Sequence, residues 1–173
     1  MENFEHALEN KEKLRDATLV FLVRRSQEKI SEICLAMKKR GFGVNRWNGV
    51  GGKVEKDENI GDAAERETQE EIGVAIKQAN KCAELSFYFP HNPAWDQKVH
   101  VYFCEVWDGE PSESEEMKPQ WFSAQELPLG QMWPDDEFWI PEVLSGKLVK
   151  AFFIFGEGDV IQKKEVKIVE NLD

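Results

Sequence analysis

Gly51–Gly73, GGKVEKDENIGDAAERETQEEIG, decides how this chain is read. The stretch is crowded with carboxylates, and Glu67, Glu70 and Glu71 fall at i, i+3 and i+4. On a helix those positions are surface neighbours, so the three acids share one face, at about 0.2–0.5 kcal/mol of repulsion per pair. A helix is expected over Ile60–Ile72: Asn59 is a suitable N-cap with Asp62 three residues on, and Gly73 suits the left-handed position after the last turn. Arg66, four residues after Asp62 and four before Glu70, relieves part of the repulsion. Two readings follow. The helix is either a solvated acidic surface with one ion-pair ladder, or a platform for a cation. The second gains weight from Gly51-Gly52, where the backbone can approach a ligand closely. Clustered hard oxygen donors beside such a loop suit Mg²⁺, with Mn²⁺ as a substitute.

Working outward, 173 residues with 41% hydrophobic side chains are enough for one folded domain. The domain is expected over residues 17–173, after a polar extension at 1–16 with helical character. That extension is neither a secretory signal nor an Arg-rich presequence, and no apolar run reaches membrane-spanning length. A net charge of −11 argues against a nucleic-acid polymer as partner. It leaves room for a small phosphorylated substrate if a divalent cation supplies positive charge. Cys34, Cys82 and Cys104 are odd in number and scattered, which reads as free thiols in a reducing compartment. A cytoplasmic monomer acting on a small molecule is the expectation, with no membrane partner.

The coarse map has strands at Ala17–Arg25 and Glu32–Arg40, turned by SQEK, then a glycine-rich loop Gly41–Gly52 holding at most a short strand. After the helix come strands at Ala83–Phe89 and Lys98–Trp107, and a mobile acidic loop at Asp108–Pro119. QWFSAQELP gives a short strand and turn. A helix in DDEFWIPEVLSG is capped by Asp135 or Asp136, with Pro141 in its first turns or kinking it. Two strands close the chain. Strands interleaved with two main helices imply an α/β fold (α+β in some schemes), a mixed sheet flanked by helices. Two glycine motifs fail: Val54 stands where a P-loop needs Ser or Thr, and also where a dinucleotide fingerprint needs its last glycine.

The residues Gly52, Glu58, Arg66-Glu67, Glu70-Glu71, Gly73 and Val74 resemble the signature of the Nudix hydrolases, G-x5-E-x7-R-E-U-x-E-E-x-G-U, where U is a bulky aliphatic residue. Thr68 departs from it at the first U; being β-branched, it is expected to pack partly inward. The resemblance implies an α/β/α sandwich and hydrolysis of a nucleoside diphosphate linked to another group. It makes Glu67, Glu70, Glu71, the Gly51 carbonyl and Glu116 candidate metal ligands, and Arg66 the residue that orients a glutamate. Glu71 is the first candidate for general base and Glu116 the second.

MKKRGFGVNRWNGVGGKV, SEEMKPQWF and MWPDDEFWIP resemble the branch of that family that converts oxidised purine nucleoside triphosphates, including 8-oxo-dGTP and 2-hydroxy-dATP, to monophosphate and pyrophosphate. The residues suit a purine. Asn48 offers a donor and an acceptor. Trp133 and Phe42 offer stacking faces, and Phe87 with Phe89 a wall. Asp135 and Asp136 could share a proton and so read either a 6-oxo or a 6-amino purine. Lys38 is a candidate phosphate contact. Gln97 stands where an apolar residue is expected near the base. The competing readings are a Nudix hydrolase of another nucleotide and a non-catalytic nucleotide sensor.

Overall fold

The computed structural model describes residues 14–172; of the extension expected to be helical over residues 1–16, residues 1–13 lie outside them, and Arg15 and Asp16 belong to a strand instead. Eight strands form one mixed sheet: β1 (Arg15–Ser26), β2 (Lys29–Lys38), β3 (Trp47–Asn48), β4 (Ala75–Tyr88), β5 (Gln97–Asp108), β6 (Met117–Ser123), β7 (Leu148–Gly156) and β8 (Val160–Val169). Their order is β3-β2-β1-β5-β4-β7-β8, with β6 on β2. The pairs β1·β5 and β4·β7 are parallel and the remaining ladders antiparallel. Among the described residues there are two α-helices, α1 (Ile60–Ile72) and α2 (Asp136–Leu144).

Alternation along β1 explains its unbroken apolar run. Ala17, Phe21 and Val23 join one core with Trp139 and Ile140 of α2. Val20 and Leu22 join a second core with Ala64 and Ile72 of α1. β5 divides in the same way, Val99, Val101 and Phe103 to the first and Cys104 to the second. A strand buried on both faces reads as a continuous hydrophobic stretch. The mixed sheet with a helix on each side is the expected α/β architecture.

Four expectations are corrected. β2 begins at Lys29 rather than Glu32, because Gln27 and Glu28 both take positive φ (53° and 69°) in a two-residue hairpin turn. β4 begins at Ala75 rather than Ala83; its first half is polar and its register against β5 shifts three times, which erases the alternation. The acidic loop ends at Glu116, since Met117–Pro119 pair with Lys38–Ala36 of β2. Neither Asp135 nor Asp136 caps α2: Asp135 sits at the N-cap position in helical conformation, with no side-chain capping bond. Pro141 falls beyond the first turn of this nine-residue helix, where its ring removes one backbone bond.

Candidate active site

Helix α1 is built as its sequence demands. Asn59 Oδ1 accepts from Asp62 N–H at 2.7 Å, and Asn59 Nδ2 donates to Asp62 Oδ2 at 2.9 Å. Gly73 closes the helix at φ 71°. Thr68 is wholly buried rather than partly inward, and its hydroxyl donates to the Ala64 carbonyl at 2.8 Å, so the departure from the signature costs no orphan donor.

Arg66 organises the acids around it. Its guanidinium donates to both Glu58 oxygens (2.8 and 3.0 Å), to Glu67 Oε1 (2.9 Å), to Glu70 Oε2 (3.3 Å) and to the Lys53 carbonyl (3.1 Å). That bidentate pairing holds the Glu58 carboxyl down at about 2. Glu71 differs. It is buried, its Oε2 has no hydrogen-bond partner, and desolvation pushes its carboxyl up to about 7 despite Lys38 nearby.

The loop before α1 has no room for side chains. A Cβ on Gly51 would fall inside the Thr18 carbonyl, and one on Gly52 would lie 2.6 Å from the Glu67 carboxylate. The Gly52 carbonyl accepts from Thr18 N–H at 2.9 Å, while among the described backbone bonds the Gly51 carbonyl takes none. Among the described residues no three acidic, His or Cys side chains converge as a finished metal-ligand set. Arg66 holds Glu67 and Glu70, while Glu71 feels the charge of Glu67 and Glu116 nearby. The donor chemistry nevertheless fits a hard divalent cation, with oxygens only, a free backbone carbonyl and an orphaned buried carboxylate oxygen.

Glu116 reaches this region from the end of the acidic loop, just before β6. It bonds Lys38 Nζ at 3.2 Å and Arg40 at 2.8–3.0 Å. The acidic loop is therefore tied down more than its composition suggests: Glu113 pairs with Lys39 at 2.7 Å, and Ser112 N–H donates to the Ile72 carbonyl at the end of α1 at 2.9 Å.

Beside the Gly51-Gly52 loop lies a cavity of about 280 Å³. Lys38, Phe42, Asn48, Phe87, Trp133, Asp135 and Asp136 all line it, as does Gln97. Glu67, Glu70, Glu71, Arg66 and Glu116 do not; they adjoin it through Gly52 and Lys38. One wall is aromatic, with Phe89 stacked on Phe155 at 5.3 Å and Phe87 on Phe153 at 5.7 Å. Phe42 lies 5.1 Å from Trp133, too close for a base to enter between the two rings without movement. Asn48 Oδ1 accepts from Gly49 N–H at 2.8 Å, which leaves the second lone pair of that oxygen and the amide N–H groups for a ligand.

Both aspartates are 2% exposed. Trp139 Nε1 donates to Asp135 Oδ2 at 2.8 Å, while Asp136 Oδ2 is buried without a partner. Burial drives Asp135 up to about 6 and Asp136 well above the usual carboxylate range, the charge of Asp135 adding to the latter. The sequence reading missed Trp139, Phe155 and Arg46. Trp139 was findable, standing four residues after Asp135 on a helix.

The NUDIX domain family model matches residues 13–143. The oxidized purine nucleoside triphosphate hydrolase of Mus musculus is 41% identical over 139 residues, covering 80% of this chain and 88% of that protein. Its namesake from Danio rerio is 40% identical over 155 residues, covering 90% and 96%. Among solved structures, the MutT protein from Bacillus halodurans superposes with a TM-score of 0.75 over 88% of this chain and 97% of that one, at 22% identity, a likeness of fold. The signature helix, the glycine loop beneath it and these matches lead to one conclusion: the chain belongs to the Nudix hydrolase family.

Proposed function

We propose that this Nudix hydrolase converts oxidised purine (deoxy)nucleoside triphosphates, 8-oxo-dGTP and 2-hydroxy-dATP among them, to monophosphate and pyrophosphate, and so cleans the nucleotide pool. The observation that carries the proposal is a buried aspartate pair facing an aromatic cavity that opens beside the signature loop. The two relatives at 40–41% identity support the substrate class by name.

In this reading the purine enters the aromatic cavity along Phe87 and Trp133, and Phe42 moves to admit it. Asp135, Asp136 and the Asn48 amide meet the base edge. With one proton between them, the aspartates present a donor and an acceptor together, which suits both a 6-oxo and a 6-amino ring. Lys38 Nζ faces the phosphates from the cavity mouth. Glu67, Glu70, Glu71, Glu116 and the Gly51 carbonyl would hold a divalent cation, Mg²⁺ with Mn²⁺ as substitute. Once bound, that cation would neutralise phosphate charge and lower the pKa of water. Arg66 holds Glu67 in place. Glu71 Oε2 is the first candidate to take the proton of the attacking water, and Glu116 the second. As the water oxygen bonds to phosphorus, the bond to the pyrophosphate leaving group breaks. Three buried free thiols support a reducing, cytoplasmic setting, and we take the chain as a monomer.

Steady-state rates on 8-oxo-dGTP, 2-hydroxy-dATP, dGTP and ADP-ribose test the proposal. Oxidised purines should be preferred by kcat/KM. Equal rates on dGTP and 8-oxo-dGTP would remove the sanitising role, and binding without turnover of any of the four would favour a sensor.

A further inference from the structure

Arg46 has no part in the reading above, yet it joins three segments at the cavity. It sits in the β2–β3 connection, where its own carbonyl accepts from Lys38 N–H at 3.1 Å. Its guanidinium carbon lies 4.1 Å from the centre of the Trp133 ring. Its Nη1 meets Asp159 Oδ2 at 2.9 Å, with about a quarter of the Arg46 side chain exposed. Asp159 belongs to the tight β7–β8 connection and takes φ 59°. Trp133 in turn fixes the aspartates: its carbonyl accepts from Asp136 N–H at 3.1 Å. On its other contacts the indole meets Phe42, Phe155 at 5.9 Å and the backbone of Gly43, where an added Cβ would lie 3.3 Å from Nε1.

We propose that Arg46, steered by Asp159, is a positioning residue for base recognition: it clamps the Trp133 indole at the cavity wall and biases where the proton of the Asp135–Asp136 pair resides. A planar guanidinium against an indole gives attraction and a fixed orientation together. The same charge, held against the indole two residues before Asp135, favours ionisation of that carboxyl, as the weakest influence on it after burial and the bonds from Trp139 and Asp136. The groups facing the pair are the two carboxyls themselves, the Trp139 indole N–H, the Trp133 backbone and Arg46; Lys38 and Lys53 line the same cavity. Asp159 tempers the field, because an anion 2.9 Å from Arg46 offsets part of its charge. Base choice is thereby linked to a hairpin turn, Glu157–Asp159, that does not itself line the cavity. The inference deepens the proposed function and depends on it.

Two substitutions of opposite electrical sign test it. Arg46→Gln removes the charge but keeps a flat polar group on Trp133. Asp159→Asn keeps the backbone, since Asn tolerates positive φ, and leaves the charge of Arg46 undiluted. On 8-oxo-dGTP, Arg46→Gln should raise KM about tenfold with kcat within about twofold, and move the acid limb of kcat/KM up by about half a pH unit. Asp159→Asn should move that limb the other way. Arg46→Lys should return the limb towards wild type while KM stays raised, because an ammonium lacks the planar stack. A limb that moves the same way in both charge variants, or does not move, overturns the proposal, as does loss in kcat alone. Melting temperatures identify a variant that merely unfolds. If wild type itself ignores oxidised purines, it is the proposed function that fails.

Discussion

The molecule places two groups of neighbouring acids about the same cavity and treats them in opposite ways, with buried Glu71 the exception on α1. Around α1, Glu58, Glu67 and Glu70 gather on one guanidinium, which holds the Glu58 carboxyl well below the usual carboxylate range. In the wall of the cavity, Asp135 and Asp136 have Trp139 and one another, and burial drives them towards the protonated form. Like charges at short spacing thus become tolerable by two routes, compensation and neutralisation. Each route suits the role proposed for it. In the proposed function the acids on α1 receive a cation and phosphates, and a half-neutral pair both donates to and accepts from a base.

The comparison can be broken first at Glu71. Glu71→Gln is expected to lower kcat by about a thousandfold or more, on the order of 4 kcal/mol of barrier, and to leave the fold intact. Stopped-time product analysis beside a thermal melt checks it; an unfolded variant would make the position structural. A smaller loss is expected from Gly52→Ala, whose Cβ would displace only the flexible end of Glu67. There kcat should fall by roughly tenfold to a hundredfold, with little change in melting temperature. An unchanged kcat would remove Glu67 from the reaction.

Stability against pH sharpens the contrast next, because the two clusters differ in sign. Glu58 is depressed in the folded state, so its contribution is present above the ordinary value of about 4.5 and fades as pH falls towards about 2. The aspartates are raised, so their contribution is full below about 3.8 and is lost as pH rises through about 6 and beyond. Asp136→Asn should therefore raise the melting temperature at pH 8 by a few degrees and bring no gain near pH 4. A loss at pH 8 would mean that the pair is not strained by its charge. The smallest effect belongs to Thr68→Val: with the hydroxyl bonded only within its own helix, stability should shift by no more than about 1 kcal/mol and kcat by less than twofold. Calorimetric melts and initial rates decide it.

What was legible in the sequence was local. Helix α1 declared itself through Asn59, Asp62 and Gly73, and β1 through an apolar run buried on both sides. What stayed hidden depended on contacts distant in sequence. The first half of β4 owes its pairing to bulges against β5, not to alternation. The acidic loop is fastened by Lys38, Lys39 and Arg40, more than seventy residues away. Asp135 resembled a helix cap because an aspartate just before a helix is the usual sign of one; only the turn geometry and the bond from the Trp139 indole show otherwise. Arg46 meets Asp159 across 113 positions, and no short motif announces such a pair.

The division of labour between the two clusters has a direct test that needs no turnover. Binding of 8-oxo-dGMP, which carries the base without a triphosphate, can be measured by titration calorimetry on wild type, Glu71→Gln and Asp136→Asn in metal-free buffer at pH 7. The account predicts that the monophosphate binds wild type and Glu71→Gln within about threefold of each other, and binds Asp136→Asn at least tenfold more weakly. Equal affinity for Asp136→Asn, or loss of binding in Glu71→Gln, would contradict it.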